Sequence, residues 1–347
     1  MYAADRNSFE DSGRPGLRYL ITGGAGFIGS HLADALVSRG DEVLVLDDLS
    51  TGRIENLEPC LETGAAEFVE GSILDEDLVA QCVASTDVCL HLAAAVGVEL
   101  ILERPLDTLI RNVRGSDVVI TAAVRNGSKV LVASSSEIYG KNNTGALQET
   151  SDRILGPPST SRWAYSTAKA FSEVLANAYA YEEQAEAIVV RFFNTVGPRQ
   201  TGSYGMVLPR FVQQALNGEP LTVYGDGTQT RCFTHVYDVR EAVLRLCDEG
   251  AAVGKTFNIG SPNEISILGL AQRVLERTGS TSEVVLVPYE MAYAEGFEEI
   301  GRRHPDLTQI KRIAGWEPRR SIDDMIDDVV AHCAADPGVP VEVNEAA

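Results

Sequence analysis

Tyr165 and Lys169 stand four residues apart in Arg162-Trp163-Ala164-Tyr165-Ser166-Thr167-Ala168-Lys169, a spacing that puts both side chains on one face of a helix. There an ammonium stabilises a phenolate and draws the tyrosine pKa from its reference of about 10 toward working pH. A tyrosine tuned this way is a usable general base. The pair is common on helix surfaces, and its meaning comes from what precedes it in the chain.

What precedes it is Tyr19-Leu20-Ile21-Thr22-Gly23-Gly24-Ala25-Gly26-Phe27-Ile28-Gly29-Ser30-His31, an apolar run, then glycines, then the helical pattern of Phe27, Ile28, Leu32, Leu36 and Val37. Strand, turn and helix follow in that order. Gly23, Gly26 and Gly29 read as GxxGxxG, and Gly24, Gly26 and Gly29 also satisfy GxGxxG. Missing side chains there allow a tight turn, close backbone approach to a pyrophosphate and close helix packing. The helix N-terminus then faces the phosphates.

A second apolar run, Glu42-Val43-Leu44-Val45-Leu46, ends in Asp47-Asp48, where an acidic side chain accepts hydrogen bonds from an adenine-ribose diol. Asp47 therefore favours NAD and repels the 2′-phosphate of NADP, with Arg53 nearby as a contrary charge. A third element, Val130-Leu131-Val132-Ala133-Ser134-Ser135-Ser136-Glu137-Ile138-Tyr139-Gly140, is a strand ending in hydroxyls. Carboxyl ends of parallel strands line the ligand crevice of doubly wound folds, so Ser135 is placed to hydrogen-bond a reacting alcohol beside Tyr165.

The elements that must position these groups alternate. Strands are expected at 18–22, 42–47, 66–69, 87–92, 129–134 and 187–193, with amphipathic helices such as 112–126 and 163–181 between them. That alternation predicts an α/β fold with a doubly wound parallel sheet of the Rossmann type. After Arg191-Phe192-Phe193-Asn194-Thr195-Val196-Gly197-Pro198-Arg199 the rhythm breaks into loops, a helix around 206–217 and the run Leu221-Thr222-Val223-Tyr224. A smaller interleaved α/β substrate domain is expected there. The division predicted is a flexible tail at 1–16, a cofactor domain at 17–193 to which 232–262 partly returns, a substrate domain at 194–231 and 263–335, and a tail at 336–347.

At 347 residues and 44% hydrophobic, the chain can bury a large core. A formal net charge of −21 argues against nucleic acid or anionic membrane as partner. Cys60, Cys82, Cys89, Cys232, Cys247 and Cys333 show neither CxxC nor zinc spacing, so reduced thiols in the cytoplasm and no metal are expected. No apolar run approaches bilayer-spanning length, and Met1 to Gly16 is polar rather than a signal peptide.

On these motifs the chain resembles the extended short-chain dehydrogenase/reductase family, in its nucleotide-sugar epimerase, decarboxylase and dehydratase branch. The resemblance runs over about residues 17 to 335. The glycine loop, the Ser-Ser-Ser-Glu-Ile-Tyr-Gly strand end, YxxxK, Arg-Phe-Phe-Asn-Thr-Val-Gly-Pro-Arg and Leu-Thr-Val-Tyr-Gly-Asp-Gly-Thr-Gln-Thr-Arg occur in the family's order. The resemblance implies NAD held by Gly23, Gly26, Phe27, Ile28, Gly29, Asp47, Asp48, Ser50, Thr51, Gly52, Ser72, Ile73, Leu92, Ala93, Ala94, Tyr165 and Lys169. It implies Tyr165 as base, Lys169 on the nicotinamide ribose, and Ser135 on the sugar 4-hydroxyl. A UDP-sugar substrate would meet Ser135, Ser136 and Glu137, with Asn194 near sugar and diphosphate, Val207 and Leu208 flanking the uracil, and Arg231 and Arg303 on the phosphates. One departure is Gly71-Ser72 in place of the family's Gly-Asp near the adenine.

The implied reaction removes hydride from C4 of the sugar to give a 4-keto intermediate. Family dehydratases carry Asp-Glu after the hydroxyl residue, and this chain has Ser136-Glu137; a serine cannot supply the required acid at neutral pH, so dehydration is disfavoured. The expected activity is an NAD-dependent UDP-sugar 4-epimerase, on UDP-glucuronate to UDP-galacturonate or on UDP-glucose to UDP-galactose, with glucuronate placed first. The alternative is a UDP-glucuronate decarboxylase making UDP-xylose, because Ser-Glu and much of the segment from Arg191 to Arg231 are shared with such enzymes. A sensor or scaffold that binds NAD without turnover should have lost a catalytic group, and Ser135, Tyr165 and Lys169 are all present. The family's habit of pairing the 163–181 and 112–126 helices with their symmetry mates implies a homodimer.

Overall fold

A computed structural model of the chain describes residues 16–96, 104–201, 206–292 and 302–335. The expected tails at 1–16 and 336–347 lie outside the described residues apart from Gly16. Seven strands form one parallel sheet: β1 (Arg18–Thr22), β2 (Glu42–Asp47), β3 (Ala66–Glu70), β4 (Val88–His91), β5 (Lys129–Ser135), β6 (Ala187–Phe192) and, later in the chain, β11 (Lys255–Ile259). Their order is β11-β6-β5-β4-β1-β2-β3. The chain therefore runs outward from β1 in one direction and resumes at β4 in the other. The crevice between the carboxyl ends of β1 and β4 is where such sheets bind ligands.

Alternation along each strand builds two cores. Tyr19, Ile21, Val43, Val45, Leu90 and Val190 pack on one face, against α1 (Phe27–Ser38) and α7 (Val236–Asp248). Leu20, Leu44, Leu46, Val130, Val132 and Val189 pack on the other, against α3 (Glu76–Val83), α4 (Pro105–Asn126) and α5 (Ala164–Glu182). The short α2 (Glu58–Leu61) lies between β2 and β3 in the chain. Burial on both faces explains why the strands read as nearly continuous apolar runs. Helix ends follow local chemistry: Asp75 caps α3 by accepting from the Leu78 amide at 3.0 Å, and α4 ends at Gly127, whose φ of 77° is left-handed.

Helix α4 begins at Pro105, seven residues before the expected start at 112. Proline is well suited to the first helical turn, where its missing N–H costs nothing. Leu106 and Ile110 face outward, 68% and 45% exposed, so the apolar periodicity there did not mark a core-facing helix.

A separate core joins α6 (Val207–Asn217), α8 (Ile267–Thr278) and α11 (Ile322–Ala335) through Phe211, Val212, Leu270, Val274, Met325 and Ile326. Three two-stranded ladders frame it: β7 (Thr195–Val196) with β10 (Thr234–His235), β8 (Leu221–Tyr224) with β13 (Val284–Val287), and β9 (Thr230–Cys232) with β12 (Glu264–Ser266). The remaining α-helices among the described residues are α9 (Tyr289–Ala292) and α10 (Thr308–Ala314). Among the described residues no helix is long and apolar enough to cross a membrane. None of the six cysteines is in a disulfide.

Candidate active site

A cleft of about 460 Å³ runs along the carboxyl ends of the strands and is lined by the glycine loop, the end of β2, the β4 loop, the end of β5, and Tyr165 and Lys169 of α5. Two glycines explain how it stays open. Gly23 has φ of 73°, and a Cβ there would lie 2.7 Å from the Ala93 amide nitrogen; a Cβ on Gly29 would collide with the Gly23 carbonyl. Gly24 instead backs onto Val45, so GxxGxxG is the reading that faces the cleft. No side chain caps the N-terminus of α1, and no acidic residue occupies its first turn. Its free amides fit a pyrophosphate.

Asp47, 8% exposed, accepts from the Ala25 amide at 3.0 Å and from the Leu49 amide at 2.9 Å, one bond on each oxygen. The carboxylate is thereby aimed into the cleft with lone pairs to spare. Asp48 accepts from the Ser50 amide at 3.0 Å and pairs with Arg111 at 3.1 Å. Phe27, Ile28, Ser50, Thr51, Ser72, Ile73, Leu92, Ala93 and Ala94 all line the cleft. Gly52 does not: it packs behind the wall, where an added Cβ would touch Ala25 and Asp47. Arg53 and Arg111 line the cleft and were not among the expected contacts.

Tyr165, Ser135 and Lys169 meet where β5 ends against α5. Ser135 stands beside the Tyr165 phenol and acts to lower its pKa. Lys169 donates to the Ala133 carbonyl at 2.8 Å, with its Nζ 5.9 Å from the Tyr165 ring centre. Burial brings Lys169 down to about 8, partly opposed by Glu173 one turn further along. The expectation that Lys169 depresses the tyrosine pKa is not what the protein alone produces. Burial first, and the Glu137 carboxylate second, push the Tyr165 phenol above its ordinary value, so it keeps its proton.

Glu137 is the centre of a charge cluster. Burial would raise its pKa, but Arg162 and Arg303 outweigh burial and bring it down to about 2. Arg162 holds it through its two terminal guanidinium nitrogens, the second at 3.1 Å. Arg303 reaches Ser136 at 3.3 Å and Glu137 at 3.4 Å. Expected as a phosphate contact, Arg303 thus stands beside the residues that follow Ser135.

Below this cluster the cleft opens into a second cavity of about 170 Å³ that shares Glu137, Asn194 and Arg303 with it. Val207 and Leu208 line it at the start of α6, although the Leu208 side chain is 1% exposed and belongs to the neighbouring core. Arg162, Arg210, Arg231 and Arg303 also line it, with Tyr224 and Tyr289. Four arginines in one small cavity of a chain with 50 acidic residues mark a place for an anion. Every expected substrate-side residue lines one of the two cavities.

Several supports were missed because their partners are remote in sequence. Asn112 holds both backbone groups of Ala95, at 2.8 and 3.0 Å, and so shapes the β4 loop. His91, brought down to about 3 by burial, stays neutral and links Thr22 at 2.8 Å to Ser116 at 3.0 Å. Ser172 of α5 donates to the same Ser116 at 2.9 Å, tying the glycine-loop strand to the Tyr165 helix.

This geometry agrees with comparison to known proteins. Residues 19–260 match the model of the NAD dependent epimerase/dehydratase family, and the chain belongs to that family. NAD is its cofactor, and the glycine loop and uncapped α1 fit it. The UDP-N-acetyl-alpha-D-glucosaminuronate decarboxylase of Bacillus cytotoxicus is 41% identical over 314 residues, covering 90% of this chain and 96% of that protein. UDP-glucuronic acid decarboxylase 2 of Arabidopsis thaliana is 37% identical over 89% of this chain, which spans 66% of that protein's length. Among solved structures, the UDP-glucuronic acid 4-epimerase of Bacillus cereus, in complex with UDP-glucuronic acid and NAD, superposes with a TM-score of 0.83 at 25% identity. That match covers 92% of this chain and 99% of the other.

Proposed function

We propose that this protein is an NAD-dependent UDP-hexuronate decarboxylase. The observation that carries the reading is Arg303 set beside Ser136 and Glu137, across from Tyr165, where the two cavities meet. NAD, when bound, supplies a hydride acceptor for C4 of the sugar and a positive charge beside the phenol. Ser135 orients the 4-hydroxyl, and Tyr165, its phenolate favoured by that positive charge, receives the hydroxyl proton. The sugar is then a β-keto acid, in which the bond from C5 to the carboxylate carbon can break with the electron pair moving toward the C4 oxygen. The phenol so formed then donates a hydrogen bond to that oxygen as charge develops there. Arg303 and Ser136 orient the departing carboxylate, and C5 takes a proton from solvent in its place; the hydride would then return to C4 as Tyr165 gives the C4 oxygen back its proton. Arg231 and Arg210 meet the diphosphate, and Val207, Leu208 and Asn194 bound the nucleotide.

The second reading is a 4-epimerase on the same substrate, in which the ketone is reduced on its other face and the carboxylate stays. It is favoured by the fold shared with the Bacillus cereus 4-epimerase. Similarity to two decarboxylases, one acting on a 2-acetamido uronate by its name, supports decarboxylation as the first reading. Incubation with UDP-glucuronate and with its 2-acetamido counterpart, followed by mass analysis, separates them: loss of carbon dioxide supports the first, an isomer of unchanged mass the second.

We assign residues 17–193, with 232–262, to cofactor binding and 194–231 and 263–335 to the nucleotide sugar. We infer that the 112–126 and 163–181 helices pair two copies; Phe171 and Val174 of α5 are exposed there, as are Leu106 and Ile110 in the first turns of α4 before residue 112. Sedimentation at micromolar concentration should give a dimer; a 37.4 kDa species alone would refute it.

A further inference from the structure

Behind the arginine-lined cavity lies a group of donors that the proposed reaction does not use. Cys232 and Glu264 are directly opposite each other in the antiparallel β9–β12 ladder, so their side chains leave the same face. His304 comes from a third segment, held by its carbonyl, which accepts from the Leu147 amide at 2.7 Å. The Cys232 Sγ and His304 Nδ1 atoms are 3.8 Å apart, and His304 Nδ1 lies 3.5 Å from a Glu264 oxygen. All three ligand atoms fall within 4.8 Å of one another.

Those distances can be compared with a metal shell. Zinc bonds of about 2.3 Å to sulfur and about 2.0–2.1 Å to nitrogen or oxygen, at a tetrahedral angle, put sulfur and nitrogen about 3.6 Å apart and nitrogen and oxygen about 3.4 Å apart. The observed separations are within a few tenths of an ångström of both, so an ion could be accepted with little backbone movement. One thiol, one imidazole and one carboxylate are a donor set that suits zinc, with a fourth place left for water. Entry is open, since the His304 and Glu264 side chains are 21% and 26% exposed. Glu264 also takes Arg302 on both oxygens, at 2.8 and 2.7 Å, which fixes the carboxylate plane toward the other two ligands.

We propose that Cys232, Glu264 and His304 form a binding site for a zinc-class divalent ion. The sulfur releases its proton to solvent as the metal binds. No sequence spacing announces the site, because its ligands come from three segments. Arg231 and Arg303 each immediately precede a ligand and line the substrate cavity. The ion would therefore clamp the two segments that carry those arginines.

The same atoms could instead form only a thiol–imidazole contact and an imidazole–carboxylate pair, and the experiment separates the two. Zinc chloride is titrated calorimetrically into the full chain in thiol-free, non-chelating buffer, and cobalt(II) is followed by absorbance. One ion per chain is expected, with a thiolate-to-cobalt charge-transfer band. Cys232→Ser should abolish the band, and His304→Gln, a change at a partly exposed position, should weaken binding at least tenfold. X-ray absorption of the zinc-loaded wild type should show one sulfur among nitrogen and oxygen neighbours. No binding at micromolar zinc overturns the proposal. So does a band that survives Cys232→Ser, which would move the metal to another thiol such as the partly exposed Cys333, or a shell with no sulfur.

Discussion

Replacing Arg162 by methionine removes the main counter-charge of Glu137 while keeping an apolar chain of similar reach. Both side chains are nearly out of solvent, 5% exposed for Arg162 and 14% for Glu137. Taking Glu137 from 4.5 to about 2 corresponds to roughly 3 kcal/mol of stabilisation at about 1.4 kcal/mol per tenfold change. Truncating one partner of a buried pair costs about 3–5 kcal/mol, and Arg303 remains 3.4 Å away to limit the damage. The expected loss is therefore roughly 3 kcal/mol. Because the folded pKa lies below the unfolded value, the native contribution is complete above about pH 4.5 and disappears as pH falls toward 2. The difference between wild type and variant should thus be flat from neutral pH down to about 5. Urea unfolding followed by tryptophan fluorescence reads it, with Trp163 adjacent to the lost side chain. In the Glu137→Gln/Arg162→Met double variant the charge needing a partner is gone, and the combined loss should fall short of additivity by at least about 1 kcal/mol. A single-variant loss below about 1 kcal/mol, or strict additivity, would refute the role given to this pair.

Tyr165→Phe should keep its fold and NAD binding and lose turnover by about 10²–10⁴-fold, the usual cost of removing a general acid–base group; near-normal kcat would remove Tyr165 from the chemistry. Asp47→Ala should weaken NAD and relax discrimination against NADP, as measured by calorimetry with both dinucleotides, and an unchanged preference would place the ribose contact elsewhere. Lys169 is brought to about 8 by burial, so kcat/KM should decline as pH rises through that value and the ammonium is lost. Lys169→Arg, which stays charged, should lose that alkaline limb even if its plateau is lower; a limb unchanged in the variant would assign it to another group.

The strands were legible because each is an apolar, β-branched run cut off by turn residues, and both its faces are covered. The order of motifs was enough to anticipate the site, since the glycine loop, the Ser135 strand end and Tyr165 all follow parallel strands whose carboxyl ends converge. What could not be read was anything set by contact across the fold. Arg162 looks like any charged residue until Glu137, 25 positions away, is brought to it. The direction of the Tyr165 shift was hidden for the same reason: its lysine neighbour is local, whereas the carboxylate and the burial that win are not. Gly52 sits behind the cleft wall because its loop folds back on Ala25, and the start of α4 was missed because its first turns carry apolar residues outward.

The central claim is that oxidation at C4 and loss of the carboxylate occur in one closed site. UDP-glucuronate deuterated at C4 should give carbon dioxide and a UDP-pentose that keeps the label at C4. The same reaction run in heavy water with unlabelled substrate should place solvent deuterium at C5 and none at C4. Loss of the C4 label to solvent, or a product that retains its carboxylate with C4 inverted, would contradict the account.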